Sequence, residues 1–161
     1  MVVSENTLKW AMRFYPPLLF QRVWVQKVEP GFTGITVTIS NSLLNRNYNR
    51  SIFGGTLFAA ADPFYPVLLH QLFSHKGYNV IAWLKSSTIQ YLKPVRSKLW
   101  FSIKLSNSDV KAIEHDLKHI GKHVEHYPVE MYNDTGELCV TINNEVYLRN
   151  LDFVLQKEAV Q

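Results

Sequence analysis

Hydrophobic and polar residues alternate along several segments of the chain, and each of these segments predicts a β-strand. Residues 33–40 alternate most regularly, with three β-branched residues facing one way: Ile35, Val37 and Ile39. Residues 22–29 alternate more loosely, and the turn Pro30–Gly31 between the two segments predicts a hairpin. The same pattern predicts further strands at 78–84 and 87–92 (or one long bent strand), 97–105, 123–132 and 137–149, with a hairpin turn at 133–136.

Three other segments have the periodicity or the apolar content of helices. Residues 4–14 predict the helix of an N-terminal segment, 1–20, and Pro16–Pro17 end that helix. Residues 108–120 predict a helix with Ser108 as its cap and Gly121 after its end. Residues 54–75 are long and apolar without alternation, which predicts a buried central helix, although Pro63 and Pro66 fall within it.

The order of these elements favours one arrangement. Two strands, a central helix and a further run of strands indicate an antiparallel sheet wrapped around one helix. We therefore predict an α+β fold with one domain over residues 1–161. A polar loop at 41–53 precedes the central helix, and loops of this length in compact domains are often functional.

Composition narrows the class of protein. A hydrophobic content of 47% indicates a globular chain, and a charged content of 19% leaves room for self-association. The net charge of +4 is scattered, so we expect no nucleic-acid binding. Without a signal-peptide pattern or an apolar run long enough to span a bilayer, we expect no membrane span and a cytoplasmic location. The single cysteine, Cys139, is expected to be a buried, unreactive thiol in a strand.

The start of the predicted central helix carries a recognisable motif. Gly54-Gly55-x-Leu57-Phe58-x-x-Ala61-Asp62 resembles, without a gap, the pattern of phenylacetate-pathway-type thioesterases, where an Asn and a His-Gly-Gly precede Leu-Phe-x-x-Ala-Asp. Asn47 lies six residues before Phe53, where that Asn would be. The resemblance implies the hot-dog fold, in which an antiparallel sheet wraps around one long central helix. Phe53 stands in the position of the thioesterase His.

A combination of short motifs is more similar to another hot-dog family, the domain of unknown function numbered 4442. These motifs cover most of the chain: Arg46-Asn47-Tyr48, Phe53-Gly54-Gly55-Thr56-Leu57-Phe58, Asp62-Pro63-Phe64-Tyr65 and Leu92-Lys93-Pro94. Two positions depart from the family's pattern. Ile52 stands where His is frequent, and Leu84 stands where an Asp often precedes the Lys of a Trp-x-Lys strand.

Thioester hydrolysis needs a donor for the developing oxyanion and a carboxylate that attacks or activates water. Gly54-Gly55 at a helix N-terminus would offer unpaired N–H groups, so we expect the N–H of Gly55 or Thr56 to polarise the carbonyl. Asp62 lies about two helical turns beyond Gly55, too far to act with it in one subunit. The resemblance implies that Asp62 meets the partner chain's Gly-Gly turn, with Asn47 orienting water or the carbonyl and Thr56 as a helper.

Each candidate also has a purely structural interpretation. Asp62 before Pro63 is equally suited to cap a helix that restarts at 63–75, and Gly54-Gly55 to form a tight turn. At least two of three loop asparagines are expected to bond their own backbone: Asn45, Asn47 and Asn49. Arg46 and Arg50 are candidates for coenzyme phosphates or for a solvated loop. One apolar helix face is a candidate lining for an acyl pocket but is expected to be mostly core: Phe58, Phe64, Tyr65, Leu68 and Leu69.

The function that we predict is acyl-CoA thioesterase-like hydrolysis at a dimer interface, in a homodimer or a dimer of dimers. Gly54, Arg46, Arg50, Phe53 and Phe58 are the predicted substrate contacts, and coenzyme A enters only as part of the substrate. The alternative is a protein that binds a fatty acyl group or acyl thioester without cleaving it. Four histidines are expected to form a solvated polar face, with zinc binding as a less favoured alternative: His115, His119, His123 and His126.

Overall fold

The computed structural model of the protein describes residues 1–153, which contain a single antiparallel sheet of six strands. The strands are β1 (Val23–Val28), β2 (Gly34–Ile39), β3 (Val80–Tyr91), β4 (Leu99–Lys104), β5 (Lys122–Asn133) and β6 (Leu138–Asn150). Their order across the sheet is β1-β2-β4-β5-β6-β3. The strand predictions are confirmed, and β3 is one strand that bends at a bulge between Leu84 and Ser86.

Five α-helices accompany the sheet between residues 1 and 150, and a 3₁₀ turn at Pro30–Phe32 joins β1 to β2. The helices are α1 (Glu5–Phe14), α2 (Pro16–Phe20), α3 (Gly54–Ala61), α4 (Phe64–His75) and α5 (Asn107–His119). Within the described part of the chain, none of them is long and apolar enough to cross a lipid bilayer. Two sequence predictions need correction. Pro16–Pro17 end α1 but also begin a second short helix, α2. Helix α5 is capped by Ser106, through a capping box with Asp109, and not by Ser108.

The central helical segment is divided, which corrects the prediction of one helix over 54–75. Pro63 and Pro66 have no N–H, so the carbonyl groups of Ala59 and Asp62 lose the partners that an unbroken helix would give them. Asp62 and Pro63 nevertheless keep right-handed helical dihedral angles. The chain therefore continues to wind in the same sense through the break, and α3 and α4 together occupy the place of the predicted helix.

One face of the sheet packs against α3 and α4. On this face, the inward residues of β2 lie beside those of the neighbouring strand β4, and Val37 is paired with Phe101. The ring of Phe64 from α4 packs on the ring of Phe101, with 5.8 Å between their centroids. Fully buried Asn144 on β6 ties this face together, because its Nδ2 donates to the carbonyl of Ala61 at 3.1 Å and its Oδ1 accepts from the Ser87 hydroxyl at 2.7 Å. The end of α3 is thereby fixed level with Ser87 on β3.

The two edge strands of the sheet, β1 and β3, are treated differently. Helix α1 covers β1, since Leu8 and Met12 are buried and the Arg13 Nε donates to the Val25 carbonyl at 2.7 Å. In the described residues, β3 pairs with β6 alone and no further strand lies on its outer edge. An edge of 12 residues with free backbone N–H and C=O groups is a ready surface for another strand.

Candidate functional site

A cavity of about 500 Å³ opens beside the N-terminus of α3. Its walls come from the loop before α3, the first turn of that helix, and residues 91–95 after β3. Four of the predicted site residues line it: Asn47, Phe53, Gly54 and Gly55. The other five do not: Arg46, Arg50, Thr56, Phe58 and Asp62. The remaining lining is mainly apolar, with Ile52, Leu57, Leu92, Pro94 and Val95, together with Ser51, Tyr91 and Lys93.

The N-terminus of α3 leaves two backbone donors facing this region. Phe53 at the N-cap offers no side-chain cap, and the N–H of Thr56 is already donated to the Phe53 carbonyl at 2.9 Å. Within residues 1–153, neither Gly54 nor Gly55 has an acceptor for its N–H. The sequence predicted two candidate donors, the N–H groups of Gly55 and Thr56. The N–H of Gly55 is free, whereas the N–H of Thr56, a residue that is 2% exposed, is bonded within the helix.

Close packing explains why glycines occupy this turn. A Cβ at Gly54 would lie 3.0 Å from the hydroxyl oxygen of Tyr91, and that hydroxyl donates to the Gly54 carbonyl at 3.1 Å. A Cβ at Gly55 would lie 2.4 Å from a ring carbon of Phe53. The tight-turn interpretation thus holds for both glycines, and it is compatible with a ligand role because the same packing leaves the Gly55 N–H open.

The asparagines before the helix hold the loop in shape. Buried Asn45 donates through Nδ2 to the carbonyls of Gln21 and Ser40, at 2.7 and 2.9 Å. Asn47 accepts through Oδ1 from the N–H groups of Asn49 and Ser51, at 2.9 and 3.2 Å, and its Nδ2 contacts the Ser51 hydroxyl at 2.9 Å. The expectation that two of the three asparagines bond their own loop is confirmed. One Nδ2 hydrogen of Asn47 remains for a ligand, whereas its amide oxygen is engaged.

Asp62 does not cap a helix, which corrects that structural interpretation. Its own backbone is helical, with φ −58° and ψ −56°, and its side chain accepts no N–H of α4. In the described part of the chain the carboxylate has no hydrogen bond and no ion pair. Although the residue is exposed, partial burial of the carboxyl group raises its pKa above the ordinary value. Asp62 is an unpaired carboxylate, about 10 Å along the helix from Gly55.

The outward face of α3 joins these two groups. Gly55, Phe58 and Asp62 are exposed on it, whereas Leu57, Ala60 and Ala61 are buried beneath. The prediction that this helix face is mostly core is confirmed, because Phe58 is 40% exposed and the four other residues are buried: Phe64, Tyr65, Leu68 and Leu69. Two large apolar side chains, Phe53 and Phe58, thus flank a free N–H and a free carboxylate on one open surface.

The four histidines do not form one solvated face. His115 and His119 are exposed and stacked, with ring centroids 4.2 Å apart. His123 is buried, with Nδ1 2.7 Å from Oδ2 of Asp116 and Nε2 3.0 Å from the Tyr127 hydroxyl, which corrects the prediction for this residue. Among residues 1–153, no three His, Cys, Asp or Glu side chains are placed to hold a metal ion together.

Comparison with known proteins identifies the family of this chain. A family model described as a domain of unknown function (DUF4442) matches residues 4–148. The chain belongs to the DUF4442 family. No curated protein matches its sequence.

Solved structures share the fold of this DUF4442 protein at low sequence identity. A Pseudomonas aeruginosa protein of unknown function superposes with a TM-score of 0.78 at 15% identity, covering 93% of this chain and 98% of its own. A thioesterase from Haemophilus influenzae gives 0.68 at 12% identity, with 94% of each chain covered. The Escherichia coli PaaI protein, from the phenylacetic acid degradation operon, gives 0.57 at 14% identity, covering 92% and 96%. The hot-dog fold predicted from the sequence is confirmed.

Sequence reasoning missed part of the DUF4442 site. Tyr91 holds the Gly54 carbonyl, and Ser51 closes the Asn47 turn against the cavity. Tyr91 directly precedes the Leu92-Lys93-Pro94 motif, which carried the family resemblance but received no role. Its position next to that motif was a usable signal, whereas nothing near Ser51 distinguished it from other loop serines.

Proposed function

We propose that this DUF4442 protein hydrolyses acyl thioesters, such as acyl-CoA, at sites formed between two copies of the chain. The observation that carries the proposal is the free N–H of Gly55 at an uncapped helix N-terminus on the wall of an apolar cavity. Such a donor is suited to the oxyanion that forms when water adds to a thioester carbonyl. The tetrahedral intermediate then collapses, the C–S bond breaks, and the products are a carboxylic acid and a free thiol.

The carboxylate that activates the water is assigned to Asp62 of the second copy. Within one chain Asp62 lies about 10 Å from Gly55, beyond the range of a shared water molecule. Both groups are on the outward face of α3, and the open β3 edge lies on the side where another sheet can pair. A two-fold axis through that edge would bring two α3 helices alongside each other and cover the exposed rings of Phe53 and Phe58.

The contacts of β3 suggest a register for that pairing. The Gly54 turn is level with Tyr91, through the hydroxyl-to-carbonyl bond, and the Asp62 end of α3 is level with Ser87, through Asn144. Placing the axis midway, at Ile89, sets Ser87 of each copy opposite Tyr91 of the other. In this register the Asp62 of one subunit comes level with the Gly55 of its partner.

The register predicts a specific cross-link. In a Cys139→Ser background, Ile89→Cys is expected to form a disulfide-linked dimer on oxidation, because a residue on the axis of an antiparallel pair lies opposite itself within disulfide range. Ile81→Cys, eight residues along the same strand, is the matched control and should stay monomeric on a non-reducing gel. Efficient linking of Ile81→Cys, or of neither variant, would contradict this register.

The walls of the cavity suggest how a substrate would lie. The acyl chain is assigned to the apolar lining, chiefly Ile52, Leu57 and Val95. The coenzyme phosphates are assigned to Arg46 and Arg50, which are exposed on the outer side of the same loop and have no ion-pair partner in the described residues. Lys93 lines the cavity but is paired with Glu137. Coenzyme A takes part only as a portion of the substrate.

Hydrolysis is tested by incubating the wild-type protein with acyl-CoAs that range from short to long and from aliphatic to aromatic. We expect at least one of them to release free thiol in proportion to enzyme concentration, measured with a chromogenic thiol reagent. Heat-denatured protein is the control. If no acyl-CoA gives turnover above that control, the hydrolase proposal fails.

A second candidate function is acyl binding without cleavage, and one observation favours it. Phe53 places an apolar ring beside Gly55, in the position where the resembled thioesterases have His, so this turn offers no side-chain acid or base. Mass spectrometry of solvent extracts from denatured protein distinguishes the two. A stoichiometric co-purified acyl compound, with no turnover in the acyl-CoA assay, would support the binding protein instead.

A further inference from the structure

An exposed apolar patch lies next to the cavity but outside it. We call it the corner patch, and it comprises Trp10, Phe14, Tyr15, Phe20, Leu43 and Leu44, each between 43% and 78% exposed. Monomeric proteins seldom expose this many large apolar side chains together, and such patches mark interaction surfaces. The patch belongs to α1, α2 and the loop after β2, so the open β3 edge takes no part in it.

Helix α1 is apolar on two opposite faces. Leu8 and Met12 face the core, while Trp10 and Phe14 are about half a turn away and point to solvent, with their rings stacked at 5.8 Å between centroids. The guanidinium of Arg13 lies 4.5 Å from the Trp10 ring centre. Folding accounts for the inner face only, so the aromatic outer face has no role within the described chain.

Asn45 holds the corner patch against the cavity. Its Nδ2 donates to the Gln21 carbonyl at 2.7 Å, which fixes the turn carrying Leu43 and Leu44 to the residue that follows Phe20. Its carbonyl accepts the N–H of Phe53 at 2.7 Å, which fixes the same turn to the cavity wall. The loop that carries Leu43 and Leu44 of the corner patch therefore also forms part of the cavity wall.

The charge around the corner patch is positive. From the start of α1 to residue 50 the chain contains six Lys and Arg but two acidic residues: Glu5, which accepts from the Gly31 N–H at 2.9 Å, and Glu29, which is paired with Lys27 at 2.7 Å. Three cations next to the patch have no ion pair in the described residues: Lys9, Arg13 and Arg22. On the neighbouring β5–β6 hairpin, Glu137 is paired with Lys93, and Asp134 accepts from Ser97, which lies between Arg96 and Lys98.

We propose that the corner patch docks the protein on the surface of an anionic lipid bilayer. Tryptophan, tyrosine and phenylalanine next to unpaired cations suit the headgroup region, where rings insert and cations meet lipid phosphates. The surrounding charge favours this occupant, because an anionic headgroup layer complements cations that have no ion pair in the described residues. Docking would set the mouth of the cavity beside the bilayer, where molecules with long acyl chains accumulate.

Flotation of the full-length protein with lipid vesicles tests this without any assay of turnover. We expect the wild type to float with vesicles of phosphatidylcholine and phosphatidylserine, less with phosphatidylcholine alone, and less at high salt. The variant Phe20→Ser/Leu43→Ser/Leu44→Ser should bind at least about tenfold more weakly, because the transfer of three apolar side chains is lost. Ile120→Ser, at the C-cap of α5 and outside the patch, removes a side chain that is 53% exposed; it is the control and should bind like the wild type.

A charge variant separates loss of binding from loss of folding. Lys9→Gln/Arg22→Asn keeps every apolar residue, and asparagine tolerates the φ of 60° at position 22. We expect it to bind anionic vesicles about fivefold more weakly per charge removed. Failure of the wild type to float, or unchanged flotation of both variants, would overturn the proposal. It would also be overturned if the triple substitution instead abolished self-association of the protein, measured by sedimentation without vesicles, because the patch would then bind a second copy.

Discussion

Replacing Asp62 with asparagine is expected to abolish thioester hydrolysis and to leave the protein at least as stable as the wild type. The carboxylate has no hydrogen-bond or ion-pair partner within residues 1–153, so its loss removes no contact that holds the fold. If it activates the attacking water, turnover should fall by about 10²- to 10⁴-fold. The two measurements are release of free thiol from the best acyl-CoA and the melting temperature at neutral pH.

The direction of the stability effect follows from the raised pKa of Asp62. A carboxyl group whose pKa is higher in the folded than in the unfolded state binds its proton more tightly when folded. Stability therefore falls as the pH rises from the ordinary carboxyl pKa through the raised one, and the deficit persists at neutral pH. Asparagine cannot ionise, so this deficit disappears and the melting temperature should hold or rise.

The same shift predicts the acidic limb of the pH–rate profile. Because the ionised carboxylate is the active form, kcat/KM should increase with pH through the raised pKa, above the range of an ordinary aspartate. Asp134→Asn is the control, since Asp134 is exposed on the β5–β6 turn, does not line the cavity and should keep full activity. Full activity of Asp62→Asn would remove Asp62 from the mechanism. A large drop in its melting temperature would indicate a structural role instead.

The sequence was informative wherever a local pattern and the tertiary environment agreed. Ile35, Val37 and Ile39 alternate because one side of β2 is buried, and the same residues are opposed by Ile103, Phe101 and Leu99 of β4. The Gly54–Asp62 motif marked the start of the central helix, and two of its predicted site residues, Gly54 and Gly55, line one cavity with Asn47 and Phe53 from the preceding loop. These features depend on residues close together in the chain, which is what a sequence pattern records.

Features that depend on distant contacts were not predictable in this way. The cap of α5 is an exception, because the capping box of Ser106 with Asp109 is a local contact that the prediction of Ser108 overlooked. His123 belongs to a polar segment, yet Asp116 and Tyr127 satisfy both of its ring nitrogens and allow it to be buried. Asp62 before Pro63 has the composition of a helix cap, but the packing of α3 and α4 keeps its backbone helical.

Two inactive chains are expected to restore activity when they form a heterodimer, if Asp62 acts on the partner's substrate. In Gly55→Val, the new Cβ would lie 2.4 Å from a ring carbon of Phe53, so the ring must move. The displaced ring and the valine side chain should block the backbone N–H of residue 55. Co-expressing Asp62→Asn and Gly55→Val chains with different tags, and isolating the heterodimer, gives one site with both native residues. That heterodimer should have about half of the wild-type activity, whereas each homodimer should have almost none.

The complementary heterodimer makes the test decisive. When both substitutions are on one chain and the other chain is wild type, each intersubunit site contains one altered residue, so the heterodimer should be inactive. If Asp62 instead acted with Gly55 of its own chain, the wild-type subunit would hold a complete site and this heterodimer would keep about half of the activity. The first heterodimer would then be inactive. The two arrangements thus predict opposite results for both heterodimers. The measured quantity is the activity of each isolated heterodimer relative to the wild type. The comparison holds whichever acyl thioester is the best substrate.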